Sequence, residues 1–168
     1  MPELRQLHTA EEAHGIRPLV HEYLESELEK MHAISGLTLD VADFVNVTFD
    51  RIDAFLPPNG VVLLVTCVRE GMLGCVFFSK LGPDSGEIKR FYVRPAARRK
   101  GIGRRLIEAL LAEARSLGAR RVLLDTTVYN HEAHAIYRSL GFVEIEPYPE
   151  GQNDPRLMPY FLYMQCEL

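Results

Sequence analysis

The sequence predicts an α/β (α+β) fold in which helices cover the faces of a mixed sheet. Its hydrophobic period changes along the chain: helical spacing fills the first third, β-branched and aromatic runs follow, and helical and strand patterns then alternate. The 168 residues, 47% apolar and 25% charged, are typical of one soluble globular domain, residues 1–168. We therefore expect a single domain with about seven strands and about four helices.

The chain begins with a predicted strand and helix. Glu3 to His8 is interpreted as a short strand. Thr9 and Glu12 then have the spacing of a capping box, which opens a helix running toward Met31. Pro18 interrupts the helical pattern, so we expect this helix to kink or divide there.

A second helix leads into a predicted hairpin. Leu39 to Leu56 carries apolar residues near 3.6 spacing, with Asp40 placed for the first turn and Pro57 as a stop. Val61 to Val68 and Met72 to Ser79 are β-branched and aromatic runs separated by a short turn. Such a pair predicts an antiparallel hairpin that is buried on at least one face.

The next strand, Glu87 to Val93, carries charged residues within an apolar pattern. Strict alternation puts Glu87, Lys89, Phe91 and Val93 on one face and Ile88, Arg90 and Tyr92 on the other. Helical and strand patterns then alternate to the end of the chain. They predict a helix from about Gly103 to Gly118, a strand over Val122 to Val128, a helix over His131 to Leu140, and closing strands over Phe142 to Ile145 and Tyr160 to Cys166.

The net charge of −4 conceals an uneven distribution. Lys89 to Arg105 contains eight basic residues and no acidic one, whereas the other residues carry 11 basic and 23 acidic side chains. A basic segment within an acidic chain indicates a local anionic ligand. Nucleic-acid binding is disfavoured, because it usually needs a basic domain with aromatic residues among the charges.

The basic segment has the form of a phosphate-binding junction, in which a strand leads through a glycine-containing loop into a helix. The first amides of a helix lack internal partners, and the helix dipole adds positive charge there. Gly101 and Gly103 would let the backbone approach a bulky anion. The full positive charges come from Arg98, Arg99, Lys100 and Arg104.

Two other phosphate motifs fit this loop poorly. A Walker A loop is excluded because GxxxxGK[ST] does not occur. Gly101 and Gly103 begin a GxGxxG pattern, with Asp125 near the place of a ribose-binding acid. However, Leu106 replaces the third glycine, and the loop after Val93 is too long for a Rossmann turn.

The loop resembles a better-matching motif. Arg98-x-x-Gly101-x-Gly103 is similar to the acetyl-CoA loop of the GNAT superfamily of N-acetyltransferases, at the family's position between strand and helix. Downstream, Asn130, Ala133, Tyr137, Gly141 and Phe142 fill the family's second pattern, Asn-x-x-Ala-x-x-x-Tyr-x-x-x-Gly-Phe. The resemblance implies a GNAT-like, mostly antiparallel sheet and an acetyl-CoA-dependent N-acetyltransferase.

The resemblance also implies site residues. Main-chain groups of the strand around Phe91, Tyr92 and Val93 are expected to bind the pantetheine arm and to leave a donor near the developing oxyanion. The loop residues expected to hold the pyrophosphate are Arg98, Arg99, Lys100, Gly101, Ile102, Gly103 and Arg104. Asn130 and Ala133 are expected on the pantetheine side, with a helix N-cap as the other role open to Asn130.

Acetyl transfer to an amine needs a base and an acid. An alkyl ammonium has a pKa of ~10.4 and must lose a proton before it attacks, while the departing thiol has a pKa of ~8.5. Tyr137 is the expected acid, with a packed aromatic residue as the alternative. Glu87 is the candidate base, and a solvated glutamate after a glycine turn is an equally open interpretation.

The acceptor is expected to be the primary amine of a small molecule, such as an amino acid or a polyamine-like compound. The acidic N-terminal third, eleven acids against four bases in residues 1–60, would suit a cationic acceptor. Pro147 to Pro159, with Gly151 and Asn153-Asp154, predicts a long loop between the last strands. The family resemblance implies that this loop lies on the acceptor side, with Tyr148, Met158 and Tyr160 as candidate contacts. The alternatives are acetylation of a protein lysine or N-terminus, a non-catalytic acyl-CoA-binding protein and a nucleic-acid-binding module.

Other expectations concern metal, membrane and assembly. His131 and His134 are one residue short of HExxH spacing and are expected on a solvated helix face, so no metal is predicted. The three cysteines lack CxxC spacing and are expected to be reduced. No apolar run reaches the ~18 residues of a membrane span, and the N-terminus lacks a signal-peptide core, which predicts a cytoplasmic protein. The family resemblance favours a homodimer.

Overall fold

Seven strands form one sheet in the computed structural model, which describes residues 1–149 and 154–168. The strands are β1 (Glu3–Leu7), β2 (Gly60–Cys67), β3 (Gly71–Lys80), β4 (Ser85–Val93), β5 (Arg121–Thr127), β6 (Val143–Ile145) and β7 (Phe161–Glu167). Their order in the sheet is β1-β2-β3-β4-β5-β7-β6. Neighbouring strands are antiparallel except β4 and β5, which are parallel. The predicted single mixed, mostly antiparallel sheet is thus confirmed.

Five α-helices lie within the described residues: α1 (Ala10–His14), α2 (Arg17–Ser35), α3 (Val41–Asp50), α4 (Ile102–Ser116) and α5 (His131–Ser139). The first predicted helix does divide, between α1 and α2, with Pro18 in the first turn of α2, where its missing N–H is tolerated. The capping box of Thr9 and Glu12 opens α1. The second predicted helix is shorter than expected, because α3 ends at Asp50 and a 3₁₀ turn follows over Ile52–Phe55.

The sheet separates two apolar clusters. One cluster packs α4 and α5 on one face through residues such as Leu106, Leu110 and Tyr137. The other packs α1, α2 and α3 on the opposite face, around Leu19 and Phe49. Both faces of the central strands are therefore buried, which explains the nearly continuous apolar sequence of β2 and β3.

The parallel pair β4 and β5 separates partway along its length. Ser85 to Ile88 pairs with Arg121 to Leu124, and the pairing ends there although both strands continue, to Val93 and to Thr127. The backbone groups beyond this point face a gap instead of a neighbouring strand. The separation creates a cleft in the middle of the sheet.

A bulge in β4 corrects the predicted strand faces. Arg90 has a φ of 53°, and the β3–β4 register shifts between Cys75 and Phe77. The extra residue reverses the alternation, as a β-bulge does. Ile88, Phe91 and Val93 consequently pack with the α4 and α5 cluster, whereas Tyr92 packs with the opposite cluster.

Candidate active site

The cleft between β4 and β5 gathers polar side chains from four elements. Tyr23 and Glu27 come from α2, Lys89 and Arg90 from β4, and Asp125 from β5. Its remaining lining residues are Ile88, Phe91, Thr126, Thr127, Asn130, Ala133, Tyr137 and Phe161. Three of the residues predicted from the second sequence motif, Asn130, Ala133 and Tyr137, are thus brought to the same cleft.

A hydrogen-bonded network crosses from β4 to β5 beside the cleft. Glu87 is 4% exposed, and its Oε1 accepts a 2.6 Å hydrogen bond from the Tyr148 phenol. The Lys89 ammonium lies 2.9 Å from the same oxygen and 2.8 Å from Oδ2 of Asp125. Burial alone would lower the Lys89 pKa, but Asp125 and Glu87 more than offset it and raise that pKa. Lys89 therefore stays charged and holds the two carboxylates.

Glu87 is not the solvated glutamate that one interpretation allowed. Both of its polar contacts with the described residues fall on Oε1, and the side chain lines a second cavity, of about 540 Å³, between the sheet and α3. We call this the α3 cavity. Lys89 and Arg90 line both the cleft and the α3 cavity, so the two spaces adjoin at β4.

Tyr137 reaches the cleft from α5. The residue is 4% exposed, and its ring lies between Phe91 and Phe142, with centroids 5.7 Å and 5.5 Å away. Burial, aided by the negative charges of Asp125 and Glu27, raises the Tyr137 pKa well above its usual value. Its hydroxyl therefore stays protonated and can donate a hydrogen bond at any ordinary pH.

The basic loop ends at the N-terminus of α4 as predicted. Gly101 is the N-cap with a φ of 78°, and a Cβ there would meet no atom within 4 Å. The loop is therefore open to an incoming group, and the first amides of α4 lack internal partners. The Nε of Arg98 donates to Val93 O at 3.0 Å, which holds the loop against the end of β4.

The other loop cations lie at the surface, each close to an acid except Arg99. Lys100 is 3.9 Å from Glu70, and Arg104 donates a 2.7 Å hydrogen bond to Glu108. Arg99 has a φ of 59°, and the Ile102 side chain is buried in the core. Exposed ion pairs of this kind are weak and readily exchanged, so the cations remain able to bind an anion.

Gly103 is needed for packing as well as for anion approach. A Cβ at this position would lie 3.0 Å from Ile136 Cδ1 and 3.1 Å from Phe91 Cζ. The glycine lets α4 lie close to β4 and α5. This packing role was not among the predictions for Gly103, which concerned only the approach of an anion to the backbone.

The three predicted residues at the end of β4 face different ways. Phe91 lines the cleft, and Val93 O holds Arg98. The Tyr92 phenol donates to Glu22 Oε1 at 2.9 Å on the α2 face, and burial raises its pKa to about 12. Only the main chain of Tyr92 can serve a ligand in the cleft.

Glu27, on α2, is a cleft residue that the sequence pattern did not single out. Its Oε2 accepts hydrogen bonds from Asn130 at 3.0 Å and Thr127 at 3.2 Å, and its main-chain oxygen accepts one from Tyr129. Asn130 occupies the N-cap position of α5 but makes no side-chain cap bond. Its amide instead links α5 to α2 across the cleft.

Two acids of the N-terminal third line the site: Glu27 lines the cleft, and Asp43 lines the α3 cavity. Glu22 binds the Arg94 guanidinium through both oxygens, and Glu27 is held as described above. Arg94, from the basic segment, thereby joins β4 to α2 and also donates to Met72 O at 2.7 Å. These contacts join β4 to its neighbours, and the charged side chains that line the cleft are Glu27, Lys89, Arg90 and Asp125.

His134 is buried, which corrects its expected place on a solvated helix face. It is 2% exposed, and its ring Nε2 lies 2.9 Å from Thr127 O. The exposed His131 contacts it edge-to-face, with ring centroids 5.8 Å apart. Within the described ranges, no group of three or more His, Cys, Asp or Glu residues is placed to hold a metal ion. No described helix has the length and apolar character needed to cross a membrane.

The predicted acceptor-side loop is partly described. Tyr148 reaches Glu87, and Met158–Tyr160 forms a 3₁₀ turn before β7. Met158 is 39% exposed and Tyr160 is half-buried. The prediction for Gly151 and Asn153 falls outside the described residues.

A sequence signal existed for some of the residues that were missed. Asp125 is a lone carboxylate in an apolar strand, and Lys89 and Arg90 are adjacent cations in another strand, so each indicates a polar site within a sheet. Glu27 carried no such signal, because a glutamate on an amphipathic helix normally faces solvent.

The chain was compared with known sequences. The family model described as "Acetyltransferase (GNAT) family" matches residues 20–142. An uncharacterized N-acetyltransferase of Schizosaccharomyces pombe is 32% identical over 133 residues, which cover 74% of this chain and 78% of that protein.

Two relatives with named substrates match over shorter stretches. The IAA acetyltransferase of Azospirillum brasilense is 44% identical over 70 residues, 42% of this chain and 46% of the enzyme. The aminoglycoside N(6')-acetyltransferase type 1 of Stenotrophomonas maltophilia is 38% identical over 61 residues, 36% of this chain and 40% of the enzyme. Each match spans less than half of the relative's length.

A solved structure supports the fold over the whole chain. The crystal structure of an acetyltransferase of the GNAT family from Staphylococcus aureus Mu50 has a TM-score of 0.76 and 15% identity, covering 100% of this chain and 99% of that one. At this identity the likeness concerns the fold.

Proposed function

This chain belongs to the GNAT family of acetyltransferases, which use acetyl-CoA, and we propose that its acceptor is the primary amine of a small molecule. The observation that carries the proposal is the cleft between β4 and β5, with Tyr137 lining it and Glu87 in the adjoining α3 cavity. The two spaces meet at Lys89 and Arg90. The proposed acid, Tyr137, and the proposed base, Glu87, therefore lie on opposite sides of the gap between β4 and β5.

The basic loop and the end of β4 fit acetyl-CoA. The open space over Gly101 and the free amides at the start of α4 suit a pyrophosphate, with Arg98, Arg99, Lys100 and Arg104 supplying charge. The cleft walls at Asn130 and Ala133 suit the pantetheine arm. When bound, acetyl-CoA supplies the acetyl thioester. Main-chain groups of Phe91 and Val93, next to the bulge, would hold the thioester and stabilise negative charge on its oxygen.

Glu87 is the proposed base. Its Oε1 is held by Tyr148 and Lys89, so the carboxylate is fixed in orientation while Oε2 can take a proton from the amine directly or through a water molecule. Because the carboxylate is already held, it loses little conformational entropy when it adopts its reactive geometry. Direct attack by the neutral amine follows.

Tyr137 is the proposed acid. Because its pKa is raised, the phenol is a weaker acid than the departing thiol, and its main contribution is a hydrogen bond to the sulfur as negative charge develops there. The ring contacts with Phe91 and Phe142 hold the hydroxyl in place.

The preference for a small acceptor comes from the α3 cavity. Its volume of about 540 Å³ lies in the range of pockets that enclose small molecules. The aminoglycoside acetyltransferase among the relatives supports a small-molecule amine as well.

An acceptor panel tests the proposal. Free amino acids, polyamines, aminoglycosides and short peptides are each incubated with acetyl-CoA, thiol release is followed, and the N-acetyl product is identified by mass spectrometry. Small amines are expected to react. Acetylation of peptides alone would contradict the small-molecule acceptor, and size-exclusion chromatography with light scattering tests the predicted homodimer.

A further inference from the structure

Arg90 is a charged side chain at the junction of the cleft and the α3 cavity. We propose that its guanidinium binds a carboxylate of the acceptor, so that the acceptor is an amino acid with an apolar side chain and its reactive amine next to that carboxylate. This inference rests on the proposed function, since it names the class of amine that the same site acetylates.

The first argument concerns charge pairing. Lys89 is paired with both Glu87 and Asp125, but Arg90 has no salt bridge among the described residues. Among those residues, the one hydrogen bond of its guanidinium is from Nε to Thr48 Oγ1, at 2.9 Å. The close contacts of Glu87 and Asp125 go to Lys89, and these carboxylates act on Arg90 only at longer range, so an anionic ligand would supply the direct counter-charge that the guanidinium lacks. Arg90 is thus a cation of the site that can pair with an anionic ligand.

The second argument concerns access. Every fully buried polar side-chain atom of the described residues has a hydrogen-bond partner. The Nη1 and Nη2 atoms of Arg90 make no hydrogen bond there, so they must retain contact with open space, which here is the cleft and the α3 cavity. Two terminal guanidinium nitrogens presented together match the two oxygens of a carboxylate.

The third argument concerns rigidity. The bulge holds the Arg90 backbone at a φ of 53°, and Thr48 on α3 fixes the near end of the guanidinium. Thr48 is itself 2% exposed, and its hydroxyl donates to Phe44 O at 2.9 Å. The guanidinium of Arg90 is therefore oriented before a ligand binds, which limits the conformational entropy lost on binding.

The lining of the α3 cavity specifies the remainder of the acceptor. Apolar side chains contribute much of the wall: Phe44, Val47, Ala54, Phe55 and Leu81. Asp43 and Lys80, which also line it, are exposed residues. An apolar wall ending at a cation fits an amino acid with an aliphatic or aromatic side chain. A polyamine would place further positive charge beside Lys89 and Arg90, which is unfavourable.

The test compares matched acceptors. Leucine, phenylalanine and methionine are assayed beside their amides, their decarboxylated amines and spermidine, with acetyl-CoA saturating. Blocking or removing the carboxylate is expected to lower kcat/KM about 10- to 100-fold, the loss that accompanies a charged hydrogen-bonded pair. Equal rates for leucine and leucine amide, or faster turnover of spermidine, would overturn the inference while leaving the acetyltransferase proposal intact. Acetylation of no small amine would defeat the proposed function itself.

Variants of Arg90 and Thr48 test whether the guanidinium causes the difference between the acid and the amide. Arg90→Gln is expected to lower kcat/KM for leucine about 10- to 100-fold and to change that for leucine amide less than threefold, and Arg90→Lys should recover part of the loss. Thr48→Val, which removes only the Nε partner, should give a smaller loss of the same kind. Arg115→Gln, at an exposed position at the far end of α4, is the matched control. Equal losses for acid and amide in Arg90→Gln would show a structural role and contradict carboxylate binding.

Discussion

The phenol of Tyr148 donates a 2.6 Å hydrogen bond to the carboxylate of Glu87, 61 residues earlier in the chain. The bond ties the segment after β6 to β4 at the wall of the α3 cavity. The negative charges of Glu87 and Asp125 add to burial in raising the Tyr148 pKa far above its usual value, so the phenol remains a donor. Tyr148 is therefore a positioning residue for the proposed base.

Replacing Tyr148 by Phe removes this hydrogen bond while keeping the ring against Tyr163. Because Lys89 still holds the same carboxylate oxygen, kcat is expected to fall about 3- to 10-fold, less than the full cost of a hydrogen bond to a charged group. The KM for acetyl-CoA should not change. Arg156→Gln, at an exposed position in the same segment, is the control, and equal losses in both variants would refute the positioning role.

Replacing Tyr137 by Phe tests the proposed acid. The buried ring packing is kept, so acetyl-CoA affinity measured by calorimetry should stay within about twofold, while kcat falls about 10- to 100-fold, the loss expected when a hydrogen bond to the charged sulfur is removed. Because the Tyr137 pKa is raised, no loss of activity from its ionisation is expected up to pH 10. Unchanged turnover of the variant across the pH range would remove Tyr137 from the mechanism.

Gly103→Glu tests the loop. The new side chain would meet Ile136 and Phe91 and would add negative charge at the start of α4, so acetyl-CoA binding should be abolished. Gly118→Ala is the control for strain, since Gly118 has a φ of 88° just beyond the other end of α4. It should lower Tm without affecting binding. Calorimetric binding retained by Gly103→Glu would show that the cofactor loop lies elsewhere.

His134 gives the protein a predicted loss of stability in mild acid. Burial lowers its pKa below the 6.5 of the unfolded chain. Between these two pKa values the unfolded state binds the extra proton, so the stabilising effect is complete above about pH 6.5 and is lost as the pH falls through the folded pKa. Thermal unfolding from pH 8 to 5 should show a Tm decrease that His134→Gln flattens. His131→Gln, on the exposed face of α5, should keep the full decrease.

Local signals were enough for most elements of the fold. The capping box at Thr9, the glycines that end α4 and α5, and the β-branched runs of β2 and β3 act within a few residues, so they are readable in sequence. The bulge at Arg90 was not readable, because it depends on the register of β4 against β3. It reversed the predicted faces of Phe91 and Val93.

The sequence by itself determined the family, the sheet-and-helix order and the loop from Arg98 to Arg104, since these depend on motifs whose residues are close together in the chain. Only the tertiary structure decided which polar side chains contact one another. Lys89 pairs with Asp125 from β5, Glu22 with Arg94, and Glu27 with Asn130, and these pairs span 36, 72 and 103 residues of the chain. Such pairings follow from how the strands and helices pack, and they leave Arg90 as the cation without a salt bridge in the described site.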